Sequence, residues 1–318
     1  MFSIISPRFR RRNKEILHDK TKQRVYNPGK DKAAQAAEKT EDHRMKQLPV
    51  GYQMYSAREE AQKDLKAVCH ALKAVGYDGV EFAGFYGHSA EEIKAILAET
   101  GLKAVSNHVP ASEFERDVFG LLAFHQAIGC KYIAIPSLDR EQRPGGPRFA
   151  ETLRKMNRWG RLCKEAGIQL LYHNHDFEFV DVSGMYGLDF MFDAVDPDLL
   201  KTEIDVCWVK YAGVDPAEYL RKYAGRAPLV HMKDYVGVKG GGTPYALIGQ
   251  TAQADAGVPF EYRPLGHGCQ DMKAVTEAAI DAGAEWLIVE QDDWYNRSPM
   301  EQAKESIDTL YDLGVKQR

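Results

Sequence analysis

The stretch IQLLYHNHDFEF, residues 168–179, starts as an apolar run and ends as a crowd of ionisable groups. Ile168, Leu170, Leu171 and Tyr172 suit a buried strand. His173, Asn174, His175, Asp176 and Glu178 follow at once, where a buried strand ordinarily gives way to small turn residues. Burying such a cluster is costly unless the fold gathers it into a site. The flanking sequence shows which fold does so.

In both directions, apolar β-type runs alternate with amphipathic helical ones. PVGYQMYS, DGVEFAG, KAVSNHVP and YIAIPS read as the four strands before IQLLYHNH, and KTEIDVCWV, PLVHMKD and WLIVEQD as the three after it. Helical spacing separates them. Leu65, Val68, Leu72 and Val75 share one face before the stop at Gly76, and Ser89 with Glu92 has the spacing of a capping box. Strands that alternate with helices imply a parallel sheet with right-handed crossovers. Eight such units fit an α/β fold of the (β/α)8 TIM-barrel type over residues 48–318. The rival, a doubly wound open sheet, carries a Gly-rich phosphate loop after its first strand, and YQMYSARE has no glycine.

Composition narrows the function classes. Hydrophobic residues make up 44% and charged residues 28% of the 318 positions, the balance of a soluble globular enzyme. The chain has no apolar run long enough to span a membrane, and MFSIISPRFRRRNKEI lacks the apolar core of a secretory signal. The five cysteines are scattered without a C-x-x-C pair, so reduced thiols and a cytoplasmic location are expected. Residues 1–46 hold 13 Lys/Arg against 6 Asp/Glu, so the barrel itself carries the negative charge of a chain whose net is −4. That balance is poor for a nucleic-acid groove. Residues 1–47 read as a basic arm with one short helix, which docks on an acidic partner or on the barrel, or stays an unstructured extension.

In TIM barrels the chemistry sits where strand C-termini converge. Those ends carry Tyr55 (with Gln53), Glu81, Asn107 and His108, His173 and His175 with Glu178, Glu203 and Asp205, His231 and Lys233, and Glu290 with Asp292. Period-two alternation puts His173 with His175, Glu203 with Asp205, and His231 with Lys233 on shared faces. A lone histidine at a strand end is more often structural than a ligand. Several strand ends of this kind reverse that reading, and carboxylates mixed with imidazoles suit one divalent cation. Mn2+ is the first expectation, with Mg2+, Co2+ or Zn2+ as alternatives.

These residues are where the chain resembles the xylose-isomerase-like TIM barrel superfamily, the sugar phosphate isomerases/epimerases. GYQMYSAR, GYDGVEFAGFYG, LLYHNHDFEF, EIDVCWV, VHMKD, PLGHGCQDM and WLIVEQD carry the resemblance over about residues 48–314. It implies a metal held by an acid on the fifth strand together with Asp205, His231 and Glu290. The fifth-strand ligand is then either His173 or Glu178, with Glu178 favoured because a third carboxylate keeps the site hard. PLGHGCQD departs from the family pattern, with His267 where relatives often have Glu.

The expected reaction is proton abstraction next to a carbonyl of a sugar or keto-sugar, giving isomerisation or epimerisation. Glu290 is the first candidate base, His175 or His173 its partner, and Lys233 the oxyanion ligand, oriented by Asp234. His108, Glu81, Asn107 and Tyr55 would bind the substrate, with Trp208 as an apolar wall. The same enediolate supports lyase outcomes of the inosose dehydratase or C-glycoside deglycosidase kind, and a non-catalytic binding subunit is the reading of another class. The insertion after VHMKD, with Gly240 to Gly242 in series, is expected as a lid, a surface for a second subunit in an oligomer, or a plain loop.

Overall fold

Leu170 to His173 lies inside the fifth of eight parallel strands that wrap into a barrel. The computed structural model describes residues 45–239 and 259–318. The barrel strands are β1 (Val50–Gln53), β2 (Gly79–Phe82), β3 (Lys103–Asn107), β4 (Tyr132–Ile135), β5 (Gln169–His173), β6 (Leu200–Asp205), β7 (Leu229–Met232) and β8 (Trp286–Val289). β1 pairs with both β2 and β8, so the first and last strands meet. The ring closes between β3 and β4 through a bridge of His108 with Ala134, where the Val109 N–H donates to the Ala134 carbonyl at 2.9 Å. The TIM barrel expected from the alternation is therefore the fold. The basic arm and the glycine-rich part of the insertion, residues 240–258, lie outside the described residues.

Helices α1 (Arg58–Val75), α2 (Ala90–Thr100), α3 (Ala111–Ala127), α4 (Phe149–Glu165), α5 (Gly187–Ala194), α6 (Val206–Tyr211), α7 (Pro216–Lys222), α8 (Met272–Asp281) and α9 (Pro299–Asp312) follow the strands. Their ends obey local chemistry. Ser89 and Glu92 form the reciprocal capping box at α2. Gly76 ends α1 at φ +116°, where a Cβ would meet the Tyr311 hydroxyl. α1 breaks at Asp64 and α3 at Asp117, and each aspartate accepts an N–H three residues on, so it caps the helix that resumes.

Strand alternation divides the interior into layers. Val105, Tyr132, Ala134, Leu171, Leu229 and Ile288 pack one apolar layer inside the barrel. Gly51 and Gly79 leave the room: a Cβ on either would press into Ile288 or Val105. Two residues further along β5, β7 and β8 stand His173, His231 and Glu290. The outward set, such as Val50, Val80, Ile133, Leu170, Ile204 and Val230, packs with the helices in the main core. Each layer follows from the two-residue period of a strand buried on both faces.

Candidate functional site

The polar layer is a closed mesh of carboxylates and imidazoles. Glu81 of β2 accepts from Gln53 at 2.6 Å, and its Oε1 lies 2.6 Å from His231 Nε2 and 3.1 Å from His108 Nε2. Glu203 of β6 stands 2.8 Å from His108 Nε2 and 3.3 Å from His173 Nδ1. His231 turns its other nitrogen to Glu290 at 3.1 Å. Burial raises the Glu81 carboxyl, but the His108 and His231 imidazoles reverse that and hold it well below the usual range. Glu203, buried and facing the Glu81 charge, is pushed up to about 7. The same two carboxylates overcome burial at His108 and raise its imidazole to about 10.

Lys233 is the counter-cation of the other half. It is fully buried, and its ammonium lies 2.8 Å from Glu290, 3.0 Å from Asp292 and 3.4 Å from Asp205. Against desolvation, Lys233 and His231 hold the Glu290 carboxyl well below its ordinary value. Asp292 is pushed up to about 6 by burial and the Glu290 charge. Burial, with the charges of His231 and Lys233 respectively, holds His173 and His175 well below the ordinary imidazole range. Both rings are thus neutral at physiological pH.

Two groups of side chains place their ligand atoms within 4.8 Å of one another: His173, Asp205, His231 and Glu290, and His108, His173, Glu203 and His231. The first group has the donor set for a divalent cation. Asp205 spends Oδ1 on the N–H groups of Cys207 and Trp208, while its buried Oδ2 has no hydrogen-bond partner. That oxygen faces the Lys233 ammonium at 3.4 Å, and a buried carboxylate oxygen that accepts no hydrogen bond beside two imidazoles and a second carboxylate fits a cation. Glu178 does not join this group. Its oxygens accept from the Tyr172 hydroxyl at 2.6 Å and the His175 N–H at 2.8 Å, and it sits in a short 3-10 turn (Asp176–Phe179) beyond the strand.

Above this floor opens a cavity of about 630 Å3. Tyr55, Asn107, His108, His173, His175, Lys233, Glu290 and Asp292 line it. Other expected residues lie elsewhere. Glu81 and Glu203 lie beneath the imidazoles with no exposed surface. Trp208 belongs to α6 rather than to a strand end, because Asp205 caps that helix and turns the chain away. It stacks behind His175 at 5.1 Å and on Phe260 at 5.9 Å, and is not among the cavity's described lining residues. Asp234 does not orient Lys233. Its carboxylate accepts the N–H groups of Gly266, Gly268 and Gln270, which shapes the loop where His267 stands exposed. Asp292 and Glu203 were visible only as strand-end acids, and nothing in their spacing marks their partners.

A model of the xylose isomerase-like TIM barrel family matches residues 69–313. Inosose dehydratase of Geobacillus kaustophilus (strain HTA426) is 23% identical over 189 residues, 52% of this chain and 61% of that protein, so the chain spans about three fifths of that relative's length. A sugar phosphate isomerase/epimerase from Parabacteroides distasonis ATCC 8503 superposes with a TM-score of 0.67 at 23% identity, over 85% of this chain and 94% of its own. The IOLI protein with a binding zinc atom gives 0.61 at 14% identity, over 84% and 98%. At these identities the structural likeness speaks for the fold.

Proposed function

The chain belongs to the xylose isomerase-like TIM barrel family, and from that premise we propose an enzyme that removes a proton next to a carbonyl of a sugar or keto-sugar with the help of one divalent cation. The observation that carries this reading is the convergence of His173, Asp205, His231 and Glu290, with a buried Asp205 oxygen that accepts no hydrogen bond. These four would hold the metal, with His173 rather than Glu178 from the fifth strand. When bound, a divalent cation supplies Lewis-acid polarisation of the carbonyl. Zinc in the IOLI protein, a neighbour of the same fold, supports the cation without choosing it, and Mn2+ remains the first candidate from the mixed donor set.

The proton-handling role goes to His175 rather than Glu290. Glu290 already spends an oxygen on Lys233 and His231 and belongs to the group that would hold the metal. His175 lines the cavity and is neutral. Phe177 stacked at 4.9 Å and Trp208 at 5.1 Å fix its ring. A neutral imidazole set beside the reacting carbon accepts a proton and returns it, either to carbon or to a leaving group. Lys233 lines the same cavity and donates to an oxygen that gains negative charge. Similarity to an inosose dehydratase favours the second fate, elimination, as the alternative outcome.

The test is metal content beside turnover. Wild-type protein should hold about one divalent ion per chain and exchange the α-hydrogen of a keto-sugar with solvent deuterium. Asp205→Ala should lose the ion, and His175→Asn should keep it but slow exchange about a hundredfold or more. A wild-type protein that acquires no Mn2+, Co2+ or Zn2+ would remove the metal from this reading, and full exchange by His175→Asn would remove the base.

A further inference from the structure

The cavity has two unlike sides. Its ionic side is built at the ends of β5 to β8. Its other side, from the loops after β2, β3 and β4, is lined by Ala83, Phe85, Val109, Pro110, Leu121 and Pro136. Of the polar residues on this side, Asn107, His108 and Glu113 already have partners, the last in Arg116, and Ser137 adds one hydroxyl. Asn107 accepts the Gly84 N–H at 3.1 Å and faces His125 Nε2 at 3.0 Å, and His108 Nε2 turns to Glu203 and Glu81. A sugar hydroxyl lying against this side would lose water and find few partners.

The surface is also rigid. Phe85 stacks on Phe124 at 4.2 Å and meets Phe82 at 5.2 Å and the His125 ring at 5.4 Å. His125 is fixed in turn, its Nδ1 lying 2.7 Å from the Leu121 carbonyl. Two prolines, Pro110 and Pro136, complete the face. Across the cavity, Tyr55 is braced by Arg58, whose guanidinium sits 4.5 Å from the Tyr55 ring and 4.9 Å from Trp294. A cavity of about 630 Å3 lies in the range that holds a drug-sized ligand.

From this geometry we infer that Phe85, Val109, Pro110, Leu121 and Pro136 form a subsite for a flat apolar group attached to the sugar, so that the substrate class is an aryl-substituted sugar rather than a free polyol. The inference rests on the sugar reading above. The sugar lies over the ionic floor, where Lys233, His175 and Glu290 reach its oxygens. Its substituent leaves toward the β2–β4 side and covers the apolar face, in one continuous cavity. Phe85 and Leu121 act here as specificity residues and take no part in the proton transfer.

Binding of matched phenyl and methyl glycosides of glucose, galactose, mannose and xylose to the full-length, metal-loaded protein tests this by calorimetry. At least one phenyl glycoside should bind tenfold or more tightly than its methyl partner. Leu121→Gln, at a half-exposed position, and Phe85→Ser should each bring that ratio towards one and leave the methyl affinity unchanged. Leu121→Gln keeps the test open should Phe85→Ser fail to fold. Equal phenyl and methyl affinities in the wild type would overturn the subsite and leave the sugar reading standing. A phenyl preference untouched by both variants would also overturn it. No binding of any glycoside in the panel would count against the sugar reading itself, and the subsite would fall with it.

Discussion

Leu171, Leu229 and Ile288 stand one pleat below His173, His231 and Glu290 on the same three strands. Both sets are buried and both point into the barrel, yet one packs by shape and the other by charge. The lower layer accepts nearly any apolar filling that keeps its volume. The upper layer holds together only because each charge meets an opposite one: Lys233 against Glu290, Asp292 and Asp205, and His108 and His231 against Glu81 and Glu203. A two-residue step along a strand therefore separates what stabilises the barrel from what it does.

Removing Lys233 should strike hardest. Lys233→Met leaves Glu290, Asp292 and Asp205 buried without their ammonium. Urea unfolding in EDTA should then show a loss of about 3–5 kcal/mol, the usual result of deleting one partner of a buried pair. Unchanged stability would mean that these carboxylates are protonated or hydrated, and the charge-balanced picture of the upper layer would fail.

Next comes the lower layer. Leu171→Ala should cost about 2–5 kcal/mol through the cavity it opens. Metal stoichiometry should stay as in wild type, because Leu171 touches the site only through the strand. Loss of the ion at unchanged stability would show the two layers to be one unit.

The smallest effect is a change of slope. Burial pushes Glu178 up to about 8, so between pH 5 and 8 the native carboxyl keeps a proton that the unfolded chain has released. This contribution is complete below the unfolded pKa and drains away as pH rises towards the folded one. Glu178→Gln, which still accepts the His175 N–H, should lose less stability than wild type over that window. Parallel urea-midpoint profiles for the two proteins would reject the assignment.

Much of the fold was legible because its signals are local. Gly76 as a stop, the Ser89–Glu92 box and the alternation of strands with helices depend on neighbours in sequence, and the structure keeps them. Period two also paired His231 with Lys233, and both of them face the site. The same rule failed where a strand ended earlier than its apolar run. β6 stops at Asp205, whose side chain caps α6, so Trp208 turns away behind His175. β5 stops at His173, and the turn that follows carries Glu178 back to the Tyr172 hydroxyl. Asp234 reads as a neighbour of Lys233, yet it holds the loop at Gly266 to Gln270.

The order of elements, the parallel barrel and the chemical types at each strand end follow from hydrophobic period, capping and turn chemistry within a few residues. Which carboxylate meets which imidazole was settled by the folded barrel. Glu81 and His231 are 150 residues apart, and closure of the ring brings them to 2.6 Å. It also decided that the cavity has an apolar side, because Phe85, Val109, Leu121 and Pro136 belong to different units that meet only at the mouth. Such meetings depend on where each strand stops and how the barrel closes, and neither is encoded by the spacing of residues along one strand.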